Sequence, residues 1–420
     1  MTNIGSRFAA LRKSKGYTQE KLAEILGITA QAISKWENGH TLSESSLLPA
    51  LSKIYGCTID TMLMPDECGA PTVLERQTAS VISKLEGLLM NKSDIGLDDN
   101  AIIQAVHKIH PNITDCFVRR ADTVKRDRSV NTKISVEHSS GTLRLIEKVL
   151  FGESRELSNL ALLSNMDAPV PTIYHIDRDR RLLLIEDLST DYISGFCFDE
   201  DNEQGVYYRE HLTDILFALA ALHLKCWDNY EVFGKIGLPW HLENIAVHLK
   251  SVEKDYLKFK KANSERLTDK DISLYDKALE LLKCDYPKVI EERFHKGRNI
   301  TVIHGDFHPG NTFVSRDAKK PAVRMIDLEA VRMGLATEDL AMFLALHTVQ
   351  NKKSALPLLE GYYAKISKKA TDYSFAELLS DYKLSTVESL FFPIRLINGG
   401  IKDFDMQSRS LQAFEDICKQ

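Results

Sequence analysis

The chain has 420 residues, of which 44% are hydrophobic and 27% charged, and a formal net charge of −5. That length predicts two or three domains, and the composition excludes a chain disordered throughout. The slight negative charge excludes nucleic-acid binding driven by overall charge, so any such site must be local.

The opening, MTNIGSRFAALRKSKG, lacks the apolar core of an export signal, and no apolar run reaches the roughly 18 residues needed to span a bilayer. The seven cysteines, at 57, 68, 116, 197, 226, 284 and 418, form no CxxC pair. These features predict a cytoplasmic protein with reduced thiols, without structural zinc and without a membrane partner.

Residues 1–65 predict an all-α unit of five short helices. Phe8, Leu11, Leu22, Ala23, Ile25 and Leu26 fall at helical spacing. Thr18 predicts the N-cap of a helix running through Ile25, with Gly27 as its left-handed stop. Thr29 caps the next helix, TAQAISKWE, and two more lie around SSLLPALSKIY and TIDTMLM. Two short helices joined by a glycine turn have helix-turn-helix geometry. On the second, Ile33 and Trp36 turn to the core and leave Gln31, Ala32, Ser34 and Lys35 outward. Those amide, hydroxyl and ammonium groups suit base edges and phosphates in a major groove. The stretch YTQEKLAEILGITAQAISKWENG resembles the Cro/C1-type (XRE) repressor family, from about residue 4 to residue 64. The resemblance implies that Gln19 and Thr29 hold phosphates while Gln31, Ala32 and Lys35 meet the groove of an operator DNA. With seven Lys/Arg against five Asp/Glu, residues 1–65 are weakly basic, so a homodimer on a two-fold site is expected.

Residues 65–80, PDECGAPTVLERQTAS, read as a linker, and residues 81–110 as a helical hairpin broken at NKSDIGLDD. The hairpin fits either a brace for the second domain or a dimerisation element for the first. From about residue 114 the apolar period changes to that of strands. CFVRRADTV, TKISVEHS and TLRLIEKVL predict three strands, the last two joined at Ser139-Ser140-Gly141. A helix, SRELSNLALLSNM, and two strands, PTIYHIDRD and RLLLIEDL, come next. Beyond them lie a helix, REHLTDILFALAALHLKCWDN, a charged helical stretch from about 243 to 297, a strand–loop–strand around VIHGDFHPGNTFV, and helices to the end. The fold class is therefore multidomain. An all-α unit (1–65) and a linker with helical brace (66–113) precede an α+β unit. Its sheet-bearing lobe spans 114–188 and its helical lobe 189–420, with a cleft between the two.

The loop HGDFHPGN places Asp306 five residues before Asn311. Phosphoryl transfer needs positioning and charge neutralisation more than covalent chemistry from the protein. A carboxylate must orient the attacking hydroxyl and take its proton, hard oxygens must hold magnesium, and a cation must lie on the nucleotide phosphates. Asp306 suits the base and Asn311 a magnesium ligand. Asp327, at the end of the apolar strand in VRMIDLEAVRMG, suits a metal bridged to phosphate. Lys148 in LIEKVL, paired with Glu156 of the next helix, suits the cation over the phosphates.

These motifs resemble the aminoglycoside phosphotransferase and choline kinase family, a protein-kinase-like fold acting on small molecules, over roughly residues 114–400. HGDFHPGN matches its catalytic loop, and IDLEAVRMG with the later TEDLA its metal aspartate and a structural aspartate, here Asp339. LLLIEDL matches its hinge, where backbone groups from Glu186 to Leu188 would meet a purine. The resemblance implies Asp306 as base, Asn311 and Asp327 on Mg2+, Lys148 and Glu156 as the phosphate-positioning pair, and ATP or GTP as co-substrate. The sequence departs from the pattern in the loop TVKRDRSVNTK, which has no glycine where small residues usually let backbone amides reach phosphates. There Ser129 and Asn131 are candidates to substitute through their side chains, with Lys125, Arg126 and Arg128 making the loop basic.

Two functions fit these motifs. One is a DNA-binding regulator fused to a kinase that phosphorylates a hydroxyl of an aminoglycoside-like antibiotic or a metabolite. For a polycationic acceptor, CFDEDNEQG and Glu291-Glu292 are candidate acidic contacts. The other is a regulator whose kinase-like unit senses a ligand without turnover. A protein substrate ranks last, because no APE-type sequence comes after Asp327.

Overall fold

The computed structural model describes residues 8–9, 11–13, 17–26, 28–37, 51 and 54, and then residues 96–418 except 127, 153, 237–244 and 349–351. The chain forms two compact units, Met1–Thr72 and Val73–Gln420. The helices expected after Asn38, the linker and the first arm of the hairpin fall almost wholly outside the described residues.

In the first unit, α1 spans Gln19–Leu26 and α2 spans Ala30–Glu37. Both caps are formed: the Lys21 N–H donates to Thr18 Oγ1 at 3.1 Å, and the Ala32 N–H to Thr29 Oγ1 at 3.2 Å. Leu22 and Ala23 of α1 bury against Ile33 and Trp36 of α2, with Phe8 and Leu51. Ile25 does not join them and is 46% exposed. The buried face centres between Leu22, Ala23 and Leu26, and Ile25 lies about 100° around the helix from it.

The second unit opens with α3 (Asp99–Ile109), capped by Asp98. Its Ile102, Ala105 and Val106 pack on Val118, Ile134, Val136, Leu145 and Leu184 of a sheet, so this arm of the expected hairpin braces the sheet. The strands β1 (Phe117–Lys125), β2 (Ser129–His138), β3 (Gly141–Leu150), β4 (Ile173–Asp177) and β5 (Leu182–Glu186) form an antiparallel sheet in the order β1-β2-β3-β5-β4. Side chains alternate across it. Val130, Ile134, Leu145 and Val149 face α3, whereas Ser129, Asn131, Lys133, Ile146 and Lys148 line a cavity on the other face.

Ser129 and Asn131 therefore stand on a strand, not in a loop as expected. The β1–β2 ladder runs on to Lys125 opposite Val130, and the turn is closed by the Arg126 N–H donating to Ser129 O at 2.8 Å. After β3 comes α4 (Glu156–Ser164), and β6 (Tyr192–Ser194) comes after β5. The single helix expected over 209–229 is two, α5 (Glu203–Glu210) and α6 (Leu212–Cys226). They part at His211, whose backbone leaves helical geometry while its Nδ1 bonds the Tyr207 carbonyl at 2.7 Å.

Helix α7 (Tyr230–Ile236) precedes the charged stretch, which also divides, into α8 (Ile245–Ala262) and α9 (Asp269–Lys296). A capping box of Thr268 and Asp271 starts the latter. Two small sheets, β6-β8-β9 and β7-β10, then support the loops of interest. Their remaining strands are β7 (Thr301–Ile303), β8 (Thr312–Ser315), β9 (Val323–Met325) and β10 (Arg332–Gly334). Helix α10 (Ala336–Ala341) runs into a π-helix over Met342–Thr348, and then come α11 (Lys352–Ile366), α12 (Phe375–Ser389), α13 (Phe392–Asn398) and α14 (Phe404–Cys418). No helix among the described residues is long and apolar enough to cross a membrane.

Candidate functional site

The strand–turn–helix from β3 into α4 brings Lys148 to Glu156. Lys148 Nζ donates to both carboxylate oxygens, at 2.6 and 2.7 Å. Burial pushes the Glu156 carboxyl up, Lys148 pulls it down, and the charges of Asp327 and Glu329 add to the rise, leaving it above its ordinary value. Three carboxylates thus converge on this region, which favours cations.

The loop after β7 is held by one buried carboxylate. Asp339, 1% exposed, accepts the His304 N–H at 2.7 Å and the Gly305 N–H at 2.9 Å, and lies 3.2 Å from His223 Nε2. Gly305 takes φ +78°, and a Cβ there would stand 2.3 Å from the Ala330 carbonyl oxygen, so only glycine fits. His304 Nε2 bonds the Ile326 carbonyl at 2.9 Å and so carries the proton. Its Nδ1 then accepts the Asp306 N–H at 3.3 Å.

Asn311 Nδ2 donates to Asp306 O at 3.0 Å and to Asp306 Oδ2 at 3.1 Å. This fixes the amide and turns its oxygen away from Asp306. His308 Nδ1 accepts the Gly310 N–H at 3.0 Å, which puts the ring proton on Nε2, 3.6 Å from Asp306 Oδ2. That separation exceeds hydrogen-bond length, so the contact is electrostatic. Burial raises the Asp306 carboxyl, but His308, His304 and Asn311 outweigh it and hold it below its ordinary value.

Asn311 and Asp327 come together because Thr312 of β8 pairs with Met325 of β9, and the Ile326 N–H donates to Asn311 O at 3.0 Å. Asp327 adopts a left-handed conformation, φ 60°, and its side chain caps no helix. Both line a cavity of about 630 Å³ together with Lys148, Glu156, Ser129, Asn131 and residues 186–189. Asn131 Oδ1 is buried there without a hydrogen-bond partner. Over residues 186–188, the Glu186 N–H is spent on Thr172 O and the Asp187 N–H on Arg144 O, while Leu188 O accepts the Tyr192 N–H. Ile146, Pro171, Ile185, Leu188 and Ile326 give the cavity its apolar wall.

Three features escaped the sequence reading. Arg128 NH1 donates to Glu329 Oε1 at 2.7 Å, tying the glycine-free turn to the segment after Asp327. Phe196, 76% exposed, lies against Gly310. His347 stacks near His308, ring centres 5.1 Å apart. Nothing in local spacing points to any of them.

In the first unit, Gln31 and Lys35 are exposed or half-buried at the surface of α2, as are Ala32 and Ser34, and Thr29 is exposed at its start. Gln19 is half-buried and donates to Glu37 Oε2 at 2.7 Å, within a network that also binds Arg12 to Glu37. One donor of the Gln19 amide is therefore spent inside the unit.

Residues 8–62 match the helix-turn-helix family model, and residues 152–377, more than half of the chain, match that of the phosphotransferase enzyme family. The HTH-type transcriptional activator BcrR of Enterococcus faecalis is 39% identical over 82 residues, 20% of this chain and 39% of the relative. The SPbeta prophage-derived uncharacterized HTH-type transcriptional regulator YonR of Bacillus subtilis is 41% identical over 60 residues, 14% of this chain and 56% of the relative. The chain thus spans 39% and 56% of the lengths of these two curated relatives. Among solved structures, choline kinase from Cryptosporidium parvum Iowa II aligns at 13% identity with a TM-score of 0.46, covering 77% of this chain and 95% of that one.

Proposed function

We propose that this chain, which belongs to the phosphotransferase enzyme family and carries an N-terminal helix-turn-helix, is a DNA-binding regulator fused to a small-molecule kinase. The kinase transfers the γ-phosphoryl of ATP or GTP to a hydroxyl of an antibiotic or metabolite. The observation that carries this reading is the convergence of Lys148, Glu156, Asn311 and Asp327 on one cavity, with Asp306 bonded to Asn311.

In this reading Asp306 accepts the acceptor's proton, and the depressed carboxyl keeps it ionised at neutral pH. Lys148, held by Glu156, lies on the phosphates. The purine meets the Glu186–Leu188 backbone, and Ser129 and Asn131 reach the nucleotide from β2. Mg2+ fits Asn311 and Asp327. Among the described residues no cluster of three His, Cys, Asp or Glu side chains could hold a metal alone, and magnesium characteristically completes its shell with phosphate and water. Bound there, it would neutralise phosphate charge during transfer.

Lys148→Met is expected to raise the nucleotide KM about tenfold or more, through loss of one charge-assisted contact. Steady-state titration of Mg-ATP and Mg-GTP measures it, and an unchanged KM would remove Lys148 from the site. The Arg128–Glu329 ion pair favours a second reading, in which the unit binds ligand with little turnover because the turn is already tied down.

For the first unit we assign Gln31, Ala32, Ser34 and Lys35 to an operator major groove, with Gln19 and Thr29 at phosphates and a homodimer on a two-fold site. Replacing Gln31 and Lys35 together by Ala should cost about 1–3 kcal/mol per base-reading contact in operator affinity. Nucleotide affinity should be unaffected. Binding assays at fixed salt on a selected operator test this, and unchanged affinity would misplace the recognition helix.

A further inference from the structure

We propose that the hydroxylated acceptor of this kinase carries a negatively charged group, carboxylate or phosphate, bound by Arg409 on the His308 side of the catalytic loop. The proposal rests on the kinase reading above and names the acceptor's class.

A line of contacts leads away from Asp306. His308 Nε2 lies 3.6 Å from its carboxylate, and the His308 and His347 ring centres are 5.1 Å apart. His347 stands on the π-helix, a kind of helical insertion that occurs frequently at functional sites. Helix α14, which carries Arg409, packs on this π-helix. The His347 imidazole is lowered to about 4, by burial first and then by the charges of His308 and Arg409, against smaller rises from Asp306 and Asp403. His347 is therefore neutral at physiological pH, and Arg409 is the permanent cation here. Asp403 spends a carboxylate oxygen on the Met406 N–H at 2.8 Å.

Arg409 is incompletely satisfied. Its Nε is buried without any hydrogen-bond partner, and its NH1 reaches only a 3.9 Å ion pair with Asp199, whose side chain is 75% exposed. An unmet buried donor on a planar guanidinium calls for an oxygen acceptor, and its fork matches carboxylate and phosphate. Conversely, the acidic loop faces solvent and not the cavity: the Asp199 and Asp201 side chains are 75% and 101% exposed, and neither they nor Glu200 line the cavity with Lys148. Glu291 and Glu292 lie on α9 and do not line the cavity with Lys148.

The test uses the full chain with Mg-ATP and Mg-GTP and acceptors paired by charge. The pairs are glycerate with glyceramide and glycerophosphate with glycerol, beside kanamycin as a polycation. Acceptor-stimulated release of nucleoside diphosphate is expected to favour an anionic member by about tenfold or more in kcat/KM. Arg409→Met should abolish that preference, and Asp199→Asn, which frees Arg409, should raise it about twofold to fivefold. A gain cannot come from misfolding. Preference for carboxylate or for phosphate identifies which group is bound. Turnover of kanamycin or of neutral acceptors, indifferent to Arg409→Met, would overturn the proposal and leave the kinase reading standing. If none of these five acceptors turns over, that counts against the kinase reading. Arg409 is then judged by calorimetric titration of the protein, loaded with a non-hydrolysable nucleotide and Mg2+, with glycerate and glycerophosphate. Saturable binding removed by Arg409→Met supports an anion site, and its absence overturns one.

Discussion

Replacing Asp306 by Asn is expected to lower kcat for phosphoryl transfer by about 10²–10⁴-fold, the usual worth of a positioned general base. The substitution keeps the side chain's size and one oxygen to accept from Asn311 Nδ2, now at 3.1 Å from the carboxylate. The loop itself hangs on the backbone bonds to Asp339 and on His304, not on the Asp306 carboxylate. Nucleotide KM should therefore stay within a few-fold, and operator binding should not change. A variant that loses operator binding as well, or unfolds, would make Asp306 a structural residue.

The second large effect concerns stability. Asp339→Ala should cost about 3–5 kcal/mol, since it strands the buried His304 N–H, the half-buried Gly305 N–H and the partner of a buried histidine. Burial raises this carboxyl, but His223, His304 and the His304 N–H outweigh it and hold it below its ordinary value. Its contribution is then full above the unfolded pKa and is lost as the pH falls through the folded one. The difference between wild type and variant should accordingly be largest at neutral pH and shrink only in acid. Denaturant unfolding monitored across that range measures it, and a loss below about 1 kcal/mol at neutral pH would contradict the role assigned to Asp339.

What could be read in the sequence was local. Thr18 and Thr29 cap the helices they precede because a cap bonds an N–H three residues on. Lys148 meets Glu156, eight residues away, because a strand and a helix joined by a short turn fold back on each other. The strand ladder corrected the reading of Ser129 and Asn131. Polar residues in a basic stretch read as loop, but pairing with β3 placed Asn131 opposite Lys148. The long helix over 209–229 broke at His211 because a side chain took a backbone carbonyl, which periodicity does not register. The pairs that escaped altogether are distant: Arg128 and Glu329 are 201 positions apart, and His308 meets His347 only once the π-helix is packed beside the loop.

The central claim is that the cavity holding Lys148, Asn311 and Asp327 performs transfer and does not merely bind. Its most direct measurement is the passage of γ-phosphoryl label from Mg-ATP or Mg-GTP into an added hydroxylated acceptor, with the Asp306→Asn protein beside it. The account predicts acceptor-dependent labelling by the wild type and none above background in the variant. Saturable nucleotide binding without labelling of any acceptor, equal in both proteins, would contradict it and make the unit a sensor.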